Sequence, residues 1–216
     1  MLRYRTRPVT PLEQNATLIW CDATGRAAWV DPGGEAPALL ACVHDQGLEL
    51  DSILLTHGHL DHAGGAAELA RLSGVPVVGP QREDAFWLEQ LPQQAAMFGF
   101  PEIAPLTPDR WLDDGETLEL GNERLQVLHC PGHTPGHVVF FSPSARLALV
   151  GDVLFHGAIG RSDFPGGNGR VLVDSITQKL WPLGDDVRFV PGHGPESTFG
   201  EQRRRNPFVA DHVLAG

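Results

Sequence analysis

Short apolar runs bounded by turn residues alternate with helix-like spacings along this chain. A short run of apolar or β-branched residues between Gly, Pro, Asn or Asp predicts a strand, and apolar residues recurring every three or four positions predict a helix. The predicted strands are residues 17–20, 27–30, 52–56, 75–78, 117–120, 124–130, 137–141, 146–150 and 187–190. The predicted helices are residues 36–46, 65–72, 83–97 with a break near Pro92, 171–180 and 199–205.

The order of these elements favours packed sheets covered by helices. Turn sequences at residues 22–25, 121–122 and 142–143 join neighbouring strands, so antiparallel hairpins are prominent. Strands and helices mix through both halves, and no linker, low-complexity tract or internal repeat interrupts the pattern. We therefore expect a single domain over residues 1–216, of the α+β class.

Composition and charge narrow the possible partners. The chain is 42% hydrophobic and 20% charged, with 25 glycines and 18 prolines, which is typical of a globular protein rich in turns. A formal net charge of −11 disfavours nucleic acid and anionic membranes as partners. Three cysteines are too few for a disulfide framework, and the N-terminus has no apolar run typical of a secretory signal. We expect a cytoplasmic protein.

The ten histidines are not scattered. Four segments share one arrangement, in which a hydrophobic strand leads into a Gly-containing turn that carries His or Asp. The four turns are HGHLDH at residues 57–62, PGH at 131–133, GD at 151–152 and PGH at 191–193. Loops at the ends of rigid strands are where proteins hold reactive groups. If the four strand ends share one edge of the sheet, seven side chains converge there: His57, His59, Asp61, His62, His133, Asp152 and His193.

This donor set is suited to metal ions. Imidazole and carboxylate ligands suit zinc or iron, and the absence of Cys from the set disfavours a closed structural zinc site. Seven ligands exceed the need of one tetrahedral ion but suit two, and Asp152, alone in its segment, is the expected bridging ligand. On a helix, His57 and His59 would diverge by roughly 200°. The first motif therefore requires a loop, for which Gly58 supplies backbone freedom.

The remaining histidines lack this context. His44, His129, His156 and His212 are expected to lie outside the site. His137 follows His133 by four residues and is expected at most to support a ligand.

The motifs THGHLDHAGG, CPGHTPGH, GDVLF and VPGHG resemble those of the metallo-β-lactamase superfamily, in the order found in that family. The resemblance implies a four-layer αβ/βα sandwich with the metals at one edge. It assigns His57, His59 and His133 to a first metal, Asp61, His62 and His193 to a second, and Asp152 to both. Asp61 would also act in catalysis, by accepting a hydrogen bond from the attacking water species and aiming it.

Within the superfamily, the segments GRSDFPGG and GHGPESTFG look most similar to glyoxalase II (hydroxyacylglutathione hydrolase), in the short bacterial form without a C-terminal helical domain. Zinc β-lactamases carry Cys or Ser at the position of Asp152, and lactonases of this fold carry a Tyr near the metals, whereas the one Tyr here is Tyr4. The family therefore implies hydrolysis of S-lactoylglutathione to lactate and glutathione in methylglyoxal detoxification.

The same resemblance implies cofactors and partners. It implies two divalent ions per chain, Zn²⁺ first with Fe or Mn as alternatives. The partner would be a small-molecule glutathione thioester, and the protein a monomer or small homo-oligomer. Arg161 stands where the family has a Lys, and we expect it to hold a carboxylate of glutathione. The run Arg203–Arg205 is interpreted as a solvated helix face.

Two other functions are weighed against this one. A persulfide dioxygenase of the same superfamily would use one iron held by His57, His133 and Asp152. Those enzymes typically contain HADH in the first motif, whereas this chain contains HLDH, which favours hydrolysis. A non-catalytic binding protein on this fold would be expected to lack some ligands, and none of the seven is missing.

Overall fold

The computed structural model describes residues 1–215, which form strands and helices joined by loops. The strands are β1 (Leu2–Val9), β2 (Gln14–Cys21), β3 (Arg26–Val30), β4 (Glu49–Leu54), β5 (Val77–Val78), β6 (Thr117–Leu120), β7 (Glu123–His129), β8 (Val138–Ser142), β9 (Leu147–Gly151), β10 (Leu154–Phe155), β11 (Ala158–Ile159), β12 (Arg188–Pro191) and β13 (Ser197–Thr198). The α-helices are α1 (Ala36–Asp45), α2 (Leu60–Ala63), α3 (Ala66–Ser73), α4 (Ala85–Glu89), α5 (Leu91–Phe98), α6 (Gly169–Ser175), α7 (Phe199–Arg205) and α8 (Asp211–Leu214). Arg82–Asp84 and Trp181–Leu183 form 3₁₀ turns, and Ile176–Leu180 forms a π-helical turn that continues α6.

Two mixed sheets organise the chain. The first has the order β1-β2-β3-β4-β5, antiparallel up to β3 and parallel from β3 to β5. The second has the order β13-β12-β9-β8-β7-β6, antiparallel except for the parallel pair of β9 and β12. Strands β10 and β11 form a separate hairpin.

The buried side chains divide into three clusters that define four layers. One cluster packs the first sheet against α1, α3 and α5, and another packs the second sheet against α6 and α7. The third lies between the two sheets. Strand β8 shows why its sequence is apolar at every position: Val138 and Phe140 face the other sheet, whereas Val139 and Phe141 face the helices. The expected αβ/βα sandwich is confirmed.

Most of the predicted elements are present within a few residues of their expected ends, and residues 199–205 form a helix as predicted. The expected break near Pro92 lies at Gln90, between α4 and α5. Strand β1 was not predicted, although Leu2, Tyr4 and Thr6 alternate with arginines, as in a strand with one solvated face. None of the helices in residues 1–215 is long and apolar enough to cross a membrane.

Candidate metal centre

Four strand ends bring the seven predicted side chains together, but they belong to two sheets and not, as expected, to one. Strand β4 of the first sheet leads into His57 and His59, and α2 follows with Asp61 and His62. Strands β7, β9 and β12 of the second sheet lead into the loops that carry the other three side chains. The cluster therefore lies where the ends of the two sheets meet.

The first group consists of His57, His59 and His133, all buried. His59 Nδ1 lies 3.1 Å from His57 Nε2 and 3.0 Å from His133 Nε2. Three imidazole nitrogens that approach one another this closely form a candidate metal-binding group, because each ring offers one ligand atom to the same point. The group could hold a metal ion.

Hydrogen bonds on the far side of two rings fix which nitrogen carries the proton. The Thr56 hydroxyl donates its hydrogen to Asp31 at 2.6 Å, so it accepts from His57 Nδ1, which lies 3.0 Å away. His133 Nδ1 donates to the carbonyl oxygen of Arg161 at 2.7 Å. Both rings therefore present an unprotonated Nε2 to the group, as a metal ligand must.

The second group consists of Asp61, His62 and His193. His193 Nε2 lies 3.0 Å from Asp61 Oδ2, and His62 Nε2 lies 3.7 Å from the same oxygen. The His193 side chain is 31% exposed, whereas His62 is fully buried. The second group is thus the more exposed of the two.

Asp152 lies between the two groups. Its Oδ2 is 3.6 Å from His133 Nε2 and 4.0 Å from His193 Nε2, and its Oδ1 is 3.2 Å from His62 Nε2. Among the described residues, Asp152 Oδ1 and His62 Nε2 are both buried and form no well-aligned hydrogen bond, although they lie within ion-pair distance of each other. A buried unpaired acceptor costs free energy that a cation between these atoms would recover. The residues present therefore fit divalent metal binding.

The two groups differ in their charge before any metal binds. Burial lowers the pKa of His57 well below its usual value and that of His59 to about 3, and it also lowers the pKa of His133. Burial also disfavours charge on His62, but the carboxylates of Asp152, Asp61 and Asp31 outweigh it and raise the pKa of His62 well above its usual value. Burial likewise opposes charge on His193, and its hydrogen bond to Asp61 raises its pKa overall.

The carboxylates respond in the opposite direction. Burial opposes their ionisation, yet the charge of His62 lowers the pKa of both Asp61 and Asp152 below the usual range. The first group is thus neutral and the second is an ion-paired network.

Asp31 is a site residue that the sequence analysis did not single out. It is 3% exposed; its Oδ1 accepts from the Thr56 N–H at 2.7 Å, and its Oδ2 accepts from His62 Nδ1 at 2.8 Å. Asp31, His57 and His62 also come within metal-binding distance of one another. Because these hydrogen bonds already occupy the Asp31 oxygens, we interpret Asp31 as a residue that orients His62.

Asp84 is a second residue that sequence analysis missed. It is fully buried and accepts three hydrogen bonds, from the Gly58 N–H, the Thr134 hydroxyl and the Gly136 N–H. Burial outweighs these bonds and raises the pKa of Asp84 to about 6.

The other histidines lie as expected. His137 is fully buried, and its ring stacks on His57 with centroids 4.7 Å apart. Its Nε2 accepts from the backbone N–H of Asp152 at 3.1 Å, so it supports that residue. His129 bonds the Pro135 carbonyl, and His156 is half exposed and lies near Glu201.

An aromatic wall covers the first group. The rings of Trp87 and Phe164 lie 4.5 Å and 4.9 Å from the ring of His59. Arg161, the predicted substrate contact, stacks on Phe164 at 4.4 Å and forms two hydrogen bonds with Asp163, at 3.0 and 2.9 Å. Its side chain is 68% exposed. The structure thus places the guanidinium on the rim of the site, in a surface ion pair.

Comparison with known proteins agrees with this geometry. Residues 9–193 match the Metallo-beta-lactamase superfamily, and the chain belongs to that superfamily. Hydroxyacylglutathione hydrolase GloC of Haemophilus influenzae is 47% identical over 203 residues, which cover 94% of this chain and 95% of that protein.

Two solved structures share the fold over nearly their full lengths. The BLEG-1 B3 metallo-beta-lactamase superposes with a TM-score of 0.88 at 33% identity, covering 96% of this chain and 99% of the other. The di-iron-bound form of TTHA1623 gives a TM-score of 0.86 at 37% identity, covering 95% of this chain and 100% of the other. The resemblance of the four motifs to this superfamily is confirmed.

Proposed function

We propose that this protein hydrolyses glutathione thioesters, with S-lactoylglutathione as its expected substrate. The observation that carries the proposal is the 47% identity, over 94% of the chain, to a protein named as a hydroxyacylglutathione hydrolase. The clustered His and Asp side chains provide the site that such a hydrolase needs. The reaction consumes one water and releases lactate and glutathione, as in the detoxification of methylglyoxal.

We propose two divalent ions per chain, Zn²⁺ in the first instance, with Fe or Mn as alternatives that the same N and O ligands accept. His57, His59 and His133 would hold the first, Asp61, His62 and His193 the second, and Asp152 would contact both. The position of Asp152 between the groups supports this assignment. When bound, such ions lower the pKa of the coordinated water to roughly 7 and polarise a carbonyl.

The protein's own residues orient the reactants. Asp61, on the more exposed group, is the side chain that would accept a hydrogen bond from the attacking water and aim it at the carbonyl carbon. Asp31 accepts a hydrogen bond from His62 Nδ1 and so keeps the His62 ring in one orientation. His137 accepts a hydrogen bond from the backbone N–H of Asp152 and so fixes the backbone there. Trp87 and Phe164 exclude water from one side of the site.

The leaving group favours a thioester over an amide. A thiol with a pKa near 8.5 departs as the thiolate without a strong general acid, whereas an amine requires a proton donor. Arg161, on the rim beside Phe164, is the proposed contact for a substrate carboxylate. An acidic protein of net charge −11 needs such a local cation to bind an anionic thioester.

We also propose that residues 1–216 form one domain and that the protein is cytoplasmic. Three clusters of buried side chains hold the four layers together, which supports a single domain. Cys21, Cys42 and Cys130 are all free thiols, as is typical of proteins in a reducing compartment.

The experiment is a substrate panel run on protein reconstituted separately with Zn²⁺, Fe²⁺ and Mn²⁺. The panel contains S-lactoylglutathione, a neutral thioester, a β-lactam, and glutathione persulfide with an oxygen electrode. Release of free thiol from S-lactoylglutathione well above the other reactions supports the proposal. Oxygen uptake with one iron per chain would establish the dioxygenase instead, and preferential β-lactam cleavage would also overturn the proposal.

A further inference from the structure

The first group depends on two loops that come from different sheets. His57 and His59 follow β4 of the first sheet, whereas His133 follows β7 of the second. Their nitrogens nevertheless lie 3.0 to 3.1 Å apart. A small shift of one loop relative to the other would separate the His133 ring from the other two, so contacts between the loops determine the geometry of the group.

Asp84 makes such a contact on both sides. Its Oδ2 accepts from the Gly58 N–H at 2.9 Å, and Gly58 lies between His57 and His59. The same oxygen accepts from the Thr134 hydroxyl at 2.8 Å, and Oδ1 accepts from the Gly136 N–H at 2.6 Å. One buried carboxylate thus bonds to the residue between two candidate ligands and to the residue immediately after a third.

The backbone packs closely around these hydrogen bonds. A β-carbon at Gly136 would lie 2.5 Å from the Asp84 backbone nitrogen, and one at Gly58 would lie 2.6 Å from the β-carbon of Trp87. Asp84 itself is fully buried at the end of a 3₁₀ turn, and Trp87 on the following helix contacts the His59 ring. The segment therefore fits against both loops through close backbone contacts as well as hydrogen bonds.

We propose that Asp84 is a positioning residue that aligns the His57–His59 loop with the His133 loop and so sets the metal affinity of the first group. We call this arrangement the Asp84 clamp, comprising Asp84, Gly58, Thr134 and Gly136. The proposal rests on the proposed function only in requiring that the protein bind metal, and not on the identity of the substrate.

The test measures Zn²⁺ affinity by competition with a chelator, and amide hydrogen exchange at Gly58 and Gly136 in metal-free protein. Asp84→Asn keeps the shape but replaces one acceptor oxygen by an NH₂ group, so at least one donor of the clamp loses its partner. We expect the first Zn²⁺ equivalent to bind roughly 10- to 100-fold more weakly. We also expect both amides to exchange faster.

A milder variant and a matched control make the result specific. Thr134→Val replaces only the hydroxyl by a methyl group and should lower the affinity for the first Zn²⁺ equivalent severalfold. When it is added to Asp84→Asn, it should cause no further loss of affinity of similar size. Glu123→Gln makes the same carboxyl-to-amide change at another buried position, where Glu123 accepts from Ser144 at 2.7 Å at the far end of β7. It should lower thermal stability but leave Zn²⁺ affinity within about twofold of wild type.

Three results would overturn the proposal. The first is Asp84→Asn protein with wild-type Zn²⁺ affinity, and the second is an equal loss of affinity in Glu123→Gln. If Asp84→Asn does not fold, Thr134→Val decides, and unchanged affinity in that variant is the third. If the Asp84 clamp variants bind Zn²⁺ more weakly but the wild-type protein has no thioesterase activity, this proposal is supported and the proposed substrate is wrong.

Discussion

Asp31 Oδ2 accepts a hydrogen bond from His62 Nδ1 at 2.8 Å, and this bond fixes which nitrogen of His62 faces the metal centre. Asp31 has a positive φ of 51°, a conformation that Asn tolerates better than Ala does. Asp31→Asn therefore replaces the carboxylate that accepts from His62 with an amide and adds little conformational strain to the backbone. We expect the second metal equivalent to bind about 10- to 100-fold more weakly, because the outer partner of a metal-bound histidine makes a contribution of that size.

The measurement is metal content after dialysis against graded chelator concentrations. Retention of both equivalents at wild-type chelator concentrations would show that Asp31 does not support His62 in metal binding.

The charge difference between the two groups predicts different proton release on metal binding. Burial keeps His57 and His59 neutral, with the pKa of His59 at about 3, whereas the surrounding carboxylates raise the pKa of His62 and the hydrogen bond that His193 donates to Asp61 raises the pKa of His193. A metal entering the first group displaces few protons near neutral pH, and a metal entering the second displaces those on His62 and His193.

Because protons compete only at the second group, its affinity should fall as the pH is lowered from about 8 to about 6, while the first group keeps its ion. Calorimetric titrations in buffers of different ionisation enthalpy would count the protons released. Equal proton release by both equivalents would contradict the assignment.

Gly192 gives a steric test of the same centre. A β-carbon built on Gly192 overlaps Asp152 Oδ1 and the His62 ring, whereas one on Gly194 meets no atom within 4 Å. Gly192→Ala should therefore lose metal and most activity. Gly194→Ala, which carries only the strain of a positive φ of 74°, should keep both metals and lose some thermal stability. Loss of metal from both variants to the same degree would point to general unfolding of the loop.

Substitutions of Arg161 and of Asp163 should have opposite effects on KM for an anionic substrate. Asp163 neutralises the guanidinium that is proposed to bind a substrate carboxylate. Arg161→Ala should raise KM for S-lactoylglutathione by about tenfold, the effect of one charge-assisted hydrogen bond, and leave a neutral thioester unaffected.

Asp163→Asn should have the reverse effect, lowering KM severalfold for the anionic substrate alone. Equal effects on both substrates would place the Arg161 side chain outside the substrate site.

The fold could be predicted largely because the central strands of the second sheet are buried on both faces. Runs such as those of β8 and β9 are apolar at every position, and turn residues mark their ends. The arrangement in two sheets could not be read from the residues, because the pairing of distant strands such as β9 and β12 depends on the whole chain. The resemblance to a known family supplied that layer order.

The candidate site could be predicted because His57, His133, Asp152 and His193 each follow a hydrophobic run that ends in a Gly-containing turn. Asp31 also follows an apolar strand, β3, so the same signal was present there, although the sequence analysis did not use it. Asp84 left no such signal. It lies in a polar segment, and its role depends on contacts with Gly58 and Gly136, 26 and 52 residues away.

Loss of Asp152 tests whether one carboxylate serves both groups. Asp152→Ala should abolish thioesterase activity and reduce metal content to one ion or none, since two cations would then lack the anion between them. Metal analysis alongside the thiol-release assay measures both effects. Two retained ions with near-normal turnover would show that Asp152 is not a ligand shared by both metals.

The metal content and thioesterase activity of His193→Ala test the two-metal account most directly. His193 belongs only to the second group, at 3.0 Å from Asp61, and its removal leaves His57, His59 and His133 in place. We predict two metal equivalents in the wild type and about one in the variant, with most of the S-lactoylglutathione hydrolysis lost. A stoichiometry of one in the wild type, unchanged in His193→Ala, would contradict the account and favour a mononuclear enzyme.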